Sequence, residues 1–312
     1  MYKNKVKIII TVIIVLFIYS YITTNNIIDN IYVHTYEVNW TLEINSTKGG
    51  DFHLYWIIPD NSSYQCIYNI NYSSYVVDYV EDDNENMFSF FKMYFKPSEI
   101  RNITMNFMSD SIQTSSQNSN SQTILSDTDR EKYTSSQYHI ESDDSKIIEK
   151  SNELTRNLKT DLEKARRLQE WVTDYLVWSG YSSKLRGGAW ALENGYGDCS
   201  EFAALFISLC RAVNIPSRYV VGFAEKSFPE GGFFTISEAG HDWAEVFIPN
   251  LGWVWVDPTY GWFDENDGIH ISLQRGIVSY ILERGYRFRY HGFGFSVREY
   301  LSIDHIHTRI AS

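Results

Sequence analysis

Three residues far apart in the chain have the side chains that nucleophilic catalysis requires, and the first of them is Cys199. It follows the glycine-rich turn at residues 195–197 and Asp198, and Glu201 stands three residues after Asp198. That spacing is typical of a capping box, so Cys199 is predicted in the first turn of a helix. The partial positive charge there favours a thiolate, which predicts a lowered pKa and a nucleophilic role. Cys210, deep in the same apolar segment, is predicted to pack.

A cysteine nucleophile needs a base, and the base needs an acceptor that orients it. His241 begins one predicted strand and Asp257 ends the next, and the short connection at residues 248–251 predicts a hairpin. In the register that places Asp257 opposite Trp243, the carboxylate is diagonal to His241. Diagonal neighbours lie about 7–8 Å apart at the backbone, within reach of an imidazole and a carboxylate. The sequence allows this meeting but does not force it.

The same region offers further candidates. The backbone N–H of Cys199, at a helix start, is a natural donor for an oxyanion hole, and the indole N–H of Trp190 is a candidate second donor. Trp243 and Trp255 are predicted to line the substrate cleft. No cofactor is predicted, and no metal ion either, because three cysteines are too few for a Cys-rich zinc site.

The elements that must position these residues lie in the second half of the chain. Apolar residues recur every three or four positions over residues 144–178, which predicts a helix with one buried stripe. Residues 199–213 are apolar on nearly all sides, which predicts a central helix. Strands are predicted at 217–223, 241–248 and 252–257.

Taken in order, these motifs resemble the transglutaminase-like superfamily over about residues 138–265. The matching segments are residues 197–199, 211–218, 240–246 and 252–259. The resemblance implies an α+β fold with a papain-like core, in which the helix bearing the cysteine packs on an antiparallel sheet bearing the histidine and the aspartate. It further implies that Cys199, His241 and Asp257 form a catalytic triad that attacks an amide and forms a thioester.

Water or an amine could then accept the acyl group. Hydrolysis by a protease or amidase is the expectation, because superfamily members outside animals are more often regarded as hydrolases. A protein-crosslinking transglutaminase and a non-catalytic surface scaffold are the alternatives. The expected partner is a peptide or protein substrate. An anionic cell-envelope polymer is a further candidate for the basic face of Arg287, Arg289 and His291, although an amphipathic strand explains the same pattern.

The first half of the chain predicts a membrane anchor and a β domain. Residues 8–22 are uncharged and follow three lysines, so residues 1–28 are predicted to anchor the chain in the cell membrane, with the N-terminus cytoplasmic and the bulk extracellular. A cleaved signal peptide is the alternative. Alternating apolar residues over 31–108 predict a small β-sandwich, and the polar stretch 109–137 predicts a linker or loop. Residues 138–312 are predicted to form the catalytic domain.

Length and charge agree with this organisation. A chain of 312 residues has room for about two domains, and a hydrophobic content of 44% excludes a wholly disordered protein. The net charge of -12 argues against nucleic acid as a partner, because phosphate-backbone affinity comes mainly from clustered lysine and arginine.

Overall fold

The computed structural model describes residues 32–113, 124–182, 184–224, 240–264, 270–276 and 288–310. Helices and antiparallel sheets are mixed in it. The helices are α1 (Asp127–Thr134), α2 (Ser145–Thr155), α3 (Asp161–Tyr175), α4 (Gly188–Asn194) and α5 (Cys199–Ala212). The strands are β1 (Tyr32–Ser46), β2 (Gly50–Ile57), β3 (Gln65–Tyr72), β4 (Asp78–Glu81), β5 (Met87–Phe95), β6 (Ile100–Ile112), β7 (Val177–Trp178), β8 (Tyr196–Gly197), β9 (Ser217–Ala224), β10 (Gly240–Ile248), β11 (Gly252–Asp257), β12 (Trp262–Phe263), β13 (His270–Arg275), β14 (Phe288–His291) and β15 (Phe295–Ile310).

Two four-stranded sheets share one apolar core and form a β-sandwich. Their strand orders are β15-β1-β6-β3 and β14-β2-β5-β4. Because side chains alternate faces along a strand, the alternation in β1 and β2 sends one side chain in two into the core. Trp40 of β1 and Trp56 of β2 meet there edge to face, with ring centroids 5.2 Å apart. This agrees with the sandwich expected from the alternating pattern.

The sandwich is completed by the end of the chain. Strand β15 pairs with β1 from Tyr32 to Ser46, and β14 pairs with β2. Both strands fall within 138–312, the range that the sequence assigned to the catalytic domain, so their place in the sandwich corrects that boundary. The physical reason is that Phe288 and Leu301 are buried against the sandwich core, whereas a strand's own residues do not specify its partner.

The second core lies between helices and a five-stranded sheet of order β12-β11-β10-β9-β13. Helix α5 is at its centre, and every residue from Cys199 to Arg211 is buried. Helices α2, α3 and α4 pack around α5 because each presents one apolar stripe toward it. The predicted central helix and the three predicted strands at 217–223, 241–248 and 252–257 are all present, with ends shifted by at most one residue.

Two details differ from the sequence expectation. The helix expected over 144–178 is two helices, α2 and α3, because Thr160 begins a new one with a capping box to Glu163. The stretch predicted as a polar linker contains the end of β6 and helix α1, whose Tyr133 is buried and packs edge to face on Trp253 at 5.0 Å.

The anchor predicted within residues 1–28 lies outside the described residues. Among the helices that the structure describes, none has both the length and the apolar character needed to cross a bilayer.

The five-stranded sheet packs its other face against the sandwich. Phe223 of β9 meets Trp40 edge to face at 5.7 Å, and Ile271 and Leu273 of β13 are buried in the sandwich core. The side chain of Gln65 is hydrogen-bonded to both backbone groups of Ser272, at 2.7 and 2.9 Å. Strand β13 is therefore held by the sandwich as well as by β9.

Candidate active site

Cys199 is the first residue of α5, as the sequence predicted. The Asp198 side chain accepts from the backbone N–H of Ser200 at 2.9 Å, and the Glu201 side chain accepts from the backbone N–H of Asp198 at 3.1 Å. Arg186 donates to Glu201 at 2.9 Å and so fixes the buried carboxylate of the capping box. Helix α5 therefore starts at a defined residue, and the position of the sulfur is fixed with it.

The sulfur of Cys199 is buried and contacts β10. Only 8% of the residue is exposed, and the backbone N–H of Asp242 donates a hydrogen bond to the thiol. Asp242 follows His241 directly, so the sulfur lies beside the strand position that carries the imidazole. The Asp242 carboxylate itself accepts from the Tyr219 hydroxyl at 2.7 Å.

His241 and Asp257 meet across the predicted hairpin. Ala244 of β10 pairs with Val256 of β11, which is the register that puts Asp257 across from Trp243 and diagonal to His241. His241 Nε2 lies 2.6 Å from Asp257 Oδ2. His241 is 3% exposed and Asp257 is fully buried, so water does not compete for this hydrogen bond.

The second oxygen of Asp257 is also occupied. Its Oδ1 accepts from the backbone N–H groups of Thr259 at 2.8 Å and Tyr260 at 3.2 Å. Burial by itself would raise the pKa of Asp257, but His241 and His270 outweigh it and hold that pKa well below its usual range. The carboxylate is thus ionised and locked in orientation.

The expected low pKa of Cys199 is not what its surroundings favour. Burial raises the pKa of the thiol well above its ordinary value, and the carboxylates of Asp242 and Asp198 raise it further. The start of a helix lies beside the sulfur as predicted, but the fold adds burial and negative charge, which have the opposite effect on the pKa of the thiol. In this environment Cys199 depends on a neighbouring base to lose its proton.

His270 is a site residue that the sequence analysis missed. It begins β13, is fully buried, and places its Nε2 3.2 Å from Asp257 Oδ2, the oxygen that also binds His241. A lone histidine in an apolar segment carries no local signal of this role. Only the pairing of β13 with β9 brings it beside the hairpin.

The three predicted tryptophans have different surroundings. Trp243 and Trp255 are buried and pack edge to face against His270, at 5.1 and 4.9 Å, instead of presenting a face to an open cleft. This corrects their predicted position. Trp190 lies on α4, under the guanidinium of Arg186 at 4.1 Å and edge to face with Tyr196 at 5.2 Å. Its role as an oxyanion donor stays a prediction.

His241, Asp257 and His270 also offer three buried metal-ligand types within 4.8 Å of one another. Their closest atoms are separated by hydrogen-bond distances, 2.6 and 3.2 Å, with one carboxylate oxygen shared by both rings. The three side chains are therefore arranged as a hydrogen-bonded group, in which Asp257 Oδ2 is bound by both imidazoles.

A comparison with known families agrees with this geometry. A family model described as the transglutaminase-like superfamily matches residues 148–258, which include Cys199, His241 and Asp257. Residues 148–258 are therefore similar in sequence to the transglutaminase-like superfamily.

Sequence relatives match the transglutaminase-like region over short segments. The uncharacterized protein YebA of Bacillus subtilis is 32% identical over 75 residues, which is 22% of this chain and 10% of that protein. A protein-glutamine gamma-glutamyltransferase of Pseudomonas aeruginosa is 35% identical over 66 residues, 20% of this chain and 10% of that protein. The chain thus spans about a tenth of the length of these two curated relatives.

A solved structure extends the similarity beyond the transglutaminase-like core. The crystal structure of a candidate cysteine protease from Cytophaga hutchinsonii has a TM-score of 0.64 and 14% identity, over 90% of this chain and 94% of that one. At this identity the similarity concerns the fold. It includes the transglutaminase-like core together with most of the remaining chain.

Proposed function

We propose that this protein is a cysteine enzyme that cleaves amide bonds through a thioester, with Cys199, His241 and Asp257 as its catalytic triad. One observation carries the proposal. The thiol of Cys199 accepts a hydrogen bond from the backbone N–H of Asp242, the residue after His241. His241 Nε2 is in turn 2.6 Å from Oδ2 of the buried Asp257. Nucleophile, base and orienting acceptor then stand in the order that acyl transfer requires.

The hydrogen bond to Asp257 decides which nitrogen acts as the base. An ionised carboxylate only accepts, so His241 carries its proton on Nε2 and keeps the lone pair of Nδ1 for the thiol. Nδ1 takes the proton of Cys199 as the sulfur attacks the amide carbonyl. The same proton then passes to the departing amine nitrogen, and the C–N bond breaks to leave the thioester. Asp257 stabilises the imidazolium in between.

The negative oxygen of the tetrahedral intermediate needs donors. The backbone N–H of Cys199, at the start of α5, is the first donor we propose, since a helix N-terminus stabilises an anion. The indole of Trp190 is the candidate second donor. The helix α4 that carries it packs against α5.

We take water as the acceptor of the acyl group, which makes the reaction a hydrolysis of a peptide or protein substrate. Support comes from the superfamily resemblance, and an amine acceptor would instead give crosslinking. A glutamine-containing peptide, incubated with excess lysine in water, separates the two by mass. A deamidated or cleaved product supports hydrolysis, and a lysine adduct supports crosslinking.

A thiol probe tests the enzyme against a non-catalytic scaffold. Cys66 is exposed, whereas Cys199 and Cys210 are buried, so the chain contains its own control thiol. With iodoacetamide at pH 7.5, we expect His241→Ala to slow alkylation of Cys199 while leaving that of Cys66 unchanged. Equal alkylation of Cys199 in both proteins, together with no turnover of the glutamine peptide by the wild type, would support the scaffold.

We also propose that residues 1–28 anchor the protein in the cell membrane with the catalytic region outside. The uncharged run at 8–22, preceded by three lysines, supports this orientation. Membrane fractions of cells expressing the full chain should retain the protein after extraction with alkaline carbonate. A variant beginning at residue 29 should be released, and release of the full chain would contradict the proposal.

A further inference from the structure

The buried His270 is placed where it can control the orienting carboxylate. Its Nε2 and that of His241 both reach the same oxygen of Asp257, at 3.2 and 2.6 Å. We infer that His270 is a positioning residue, which holds Asp257 in the orientation that His241 requires. The inference rests on the proposed function of the triad.

The donor count on Asp257 supports this role. Oδ1 is bound by the backbone N–H groups of Thr259 and Tyr260, which fix one end of the carboxylate to the turn after β11. Oδ2 accepts hydrogen bonds from the imidazoles of His241 and His270. An ionised carboxylate offers about four lone-pair sites, so four donors satisfy it completely. With His270 removed, one site of a fully buried anion would be left without a donor, which is unfavourable in a dry environment.

Because His241 and His270 share one oxygen of Asp257, the position of the proton on each imidazole is also determined. Because the carboxylate can only accept, each ring must carry a proton on Nε2 for both hydrogen bonds to form. The bond from His270 fixes Oδ2 at a point between the two rings, so that Oδ2 cannot swing away from His241. The effect on Cys199 is indirect, since His270 acts through Asp257 and His241.

The ring of His270 is itself held rigidly. Trp243, Trp255 and Trp262 surround it edge to face, with centroid distances of 5.1, 4.9 and 5.8 Å. Such contacts stabilise aromatic pairs by about 0.5–1.5 kcal/mol beyond the burial of their surface. Through these contacts, Trp243 and Trp255 restrict the orientation of the second imidazole.

The sandwich supplies the remaining support. The backbone carbonyl of His270 accepts from the Ser111 hydroxyl of β6 at 3.1 Å. Two residues further, Ser272 is hydrogen-bonded through its backbone to Gln65 of β3. The sandwich therefore fixes the strand that carries His270. In this way the β domain contributes to the catalytic geometry without supplying a catalytic residue.

Substitutions at His270 test the inference. His270→Phe keeps a ring but removes the donor, and we expect kcat to fall about 10- to 100-fold with KM unchanged, as for loss of a hydrogen bond to a charged group. His270→Gln returns an N–H donor at the ε position and should recover most of that loss. His53→Phe is the matched control: His53 lies in the sandwich beside Phe90, and this variant should keep the wild-type kcat.

Proton NMR measures a chemical shift that would not change if His270 served only to pack the core. The proton between His241 Nε2 and Asp257 should resonate far downfield, shift in His270→Phe and return toward its position in His270→Gln. Wild-type kcat in a folded His270→Phe, or a His270→Gln variant as impaired as His270→Phe, would overturn the inference. Turnover by Cys199→Ala would instead refute the proposed function, so the two failures are distinguishable.

Discussion

The hydroxyl of Tyr64 is hydrogen-bonded to the carboxylate of Glu245, although the two residues belong to different layers of the fold. Tyr64 precedes β3 of the sandwich, and Glu245 lies on β10, four residues after His241. The same carboxylate is bound by Arg218 at 2.5 Å and Arg275 at 3.4 Å. A buried charged network thus connects the sandwich to the strand that carries His241.

This network predicts a loss of stability in acid. Burial would raise the pKa of Glu245, but Arg218 and Arg275 lower it to about 2 from its usual 4.5. The stabilisation is fully present above about pH 4.5 and is lost as the pH falls toward 2, amounting to about 3 kcal/mol. Urea unfolding midpoints, measured from pH 6 to pH 2.5, should fall less steeply for Glu245→Gln than for the wild type.

At neutral pH the same Glu245→Gln variant should be less stable, because Arg218 and Arg275 would keep their charges without the buried partner, at a cost of about 3–5 kcal/mol. Glu153→Gln is the control, since Glu153 is an exposed residue that pairs with Lys150 on α2. Parallel acid profiles for Glu245→Gln and the wild type would contradict the assignment.

The reactivity of Cys199 should depend strongly on pH. Because burial and the carboxylates of Asp242 and Asp198 raise the pKa of the thiol, its alkylation by iodoacetamide should increase continuously between pH 6 and pH 9. Peptide mass spectrometry gives the rate for Cys199 alone. Asp242→Asn should raise the rate at a fixed pH, since it removes one of the carboxylates that raise the pKa of the thiol. A rate that is constant from pH 5 upward would instead indicate a preformed thiolate–imidazolium pair.

Replacing Asp257 by Asn should abolish most activity while keeping the fold. The new amide N–H would face His241 Nε2, which favours the tautomer with its proton on Nδ1, the nitrogen that must accept from Cys199. We expect turnover to fall by up to about 10⁴-fold, the effect of the equivalent change in a serine protease. Circular dichroism checks the fold, and Asp304→Asn, at an exposed position of β15, is the control. Substantial turnover by Asp257→Asn would remove the carboxylate from the mechanism.

Gly222 should tolerate no side chain. It pairs with His241 across β9 and β10, and an added Cβ would lie 2.1 Å from the backbone oxygen of Ile271 and 2.5 Å from the Trp243 ring. Gly222→Ala must therefore push β13 away from β9, which displaces His270. We expect lower turnover and a destabilisation of about 1–3 kcal/mol or more, measured by thermal unfolding.

The control for this change is Gly50→Ala in the sandwich, where an added Cβ meets no atom within 4 Å and only the positive φ of 124° is strained. It should reduce Tm without affecting the kcat of the folded protein. A Gly222→Ala variant with the wild-type Tm and kcat would show that β13 can move without consequence for the site.

The sequence by itself determined the features that depend on neighbouring residues. Asp198 and Glu201 specify the start of α5, the apolar run after Cys199 specifies a buried helix, and the short connection at 248–251 specifies a hairpin. These features involve residues separated by a few positions or by one tight turn, so their physical causes can be read directly from the chain.

The tertiary structure alone decided the rest. The tertiary structure joins β15 to β1, the buried Glu245 to Tyr64, and the second imidazole to Asp257. The two residues of the last pair are 13 positions apart, and those of the second pair are 181 positions apart. It also reversed the expected environment of Cys199, because burial and nearby carboxylates depend on packing. Such pairings result from the sum of many contacts across the whole fold, and no local pattern of residue types contains that sum.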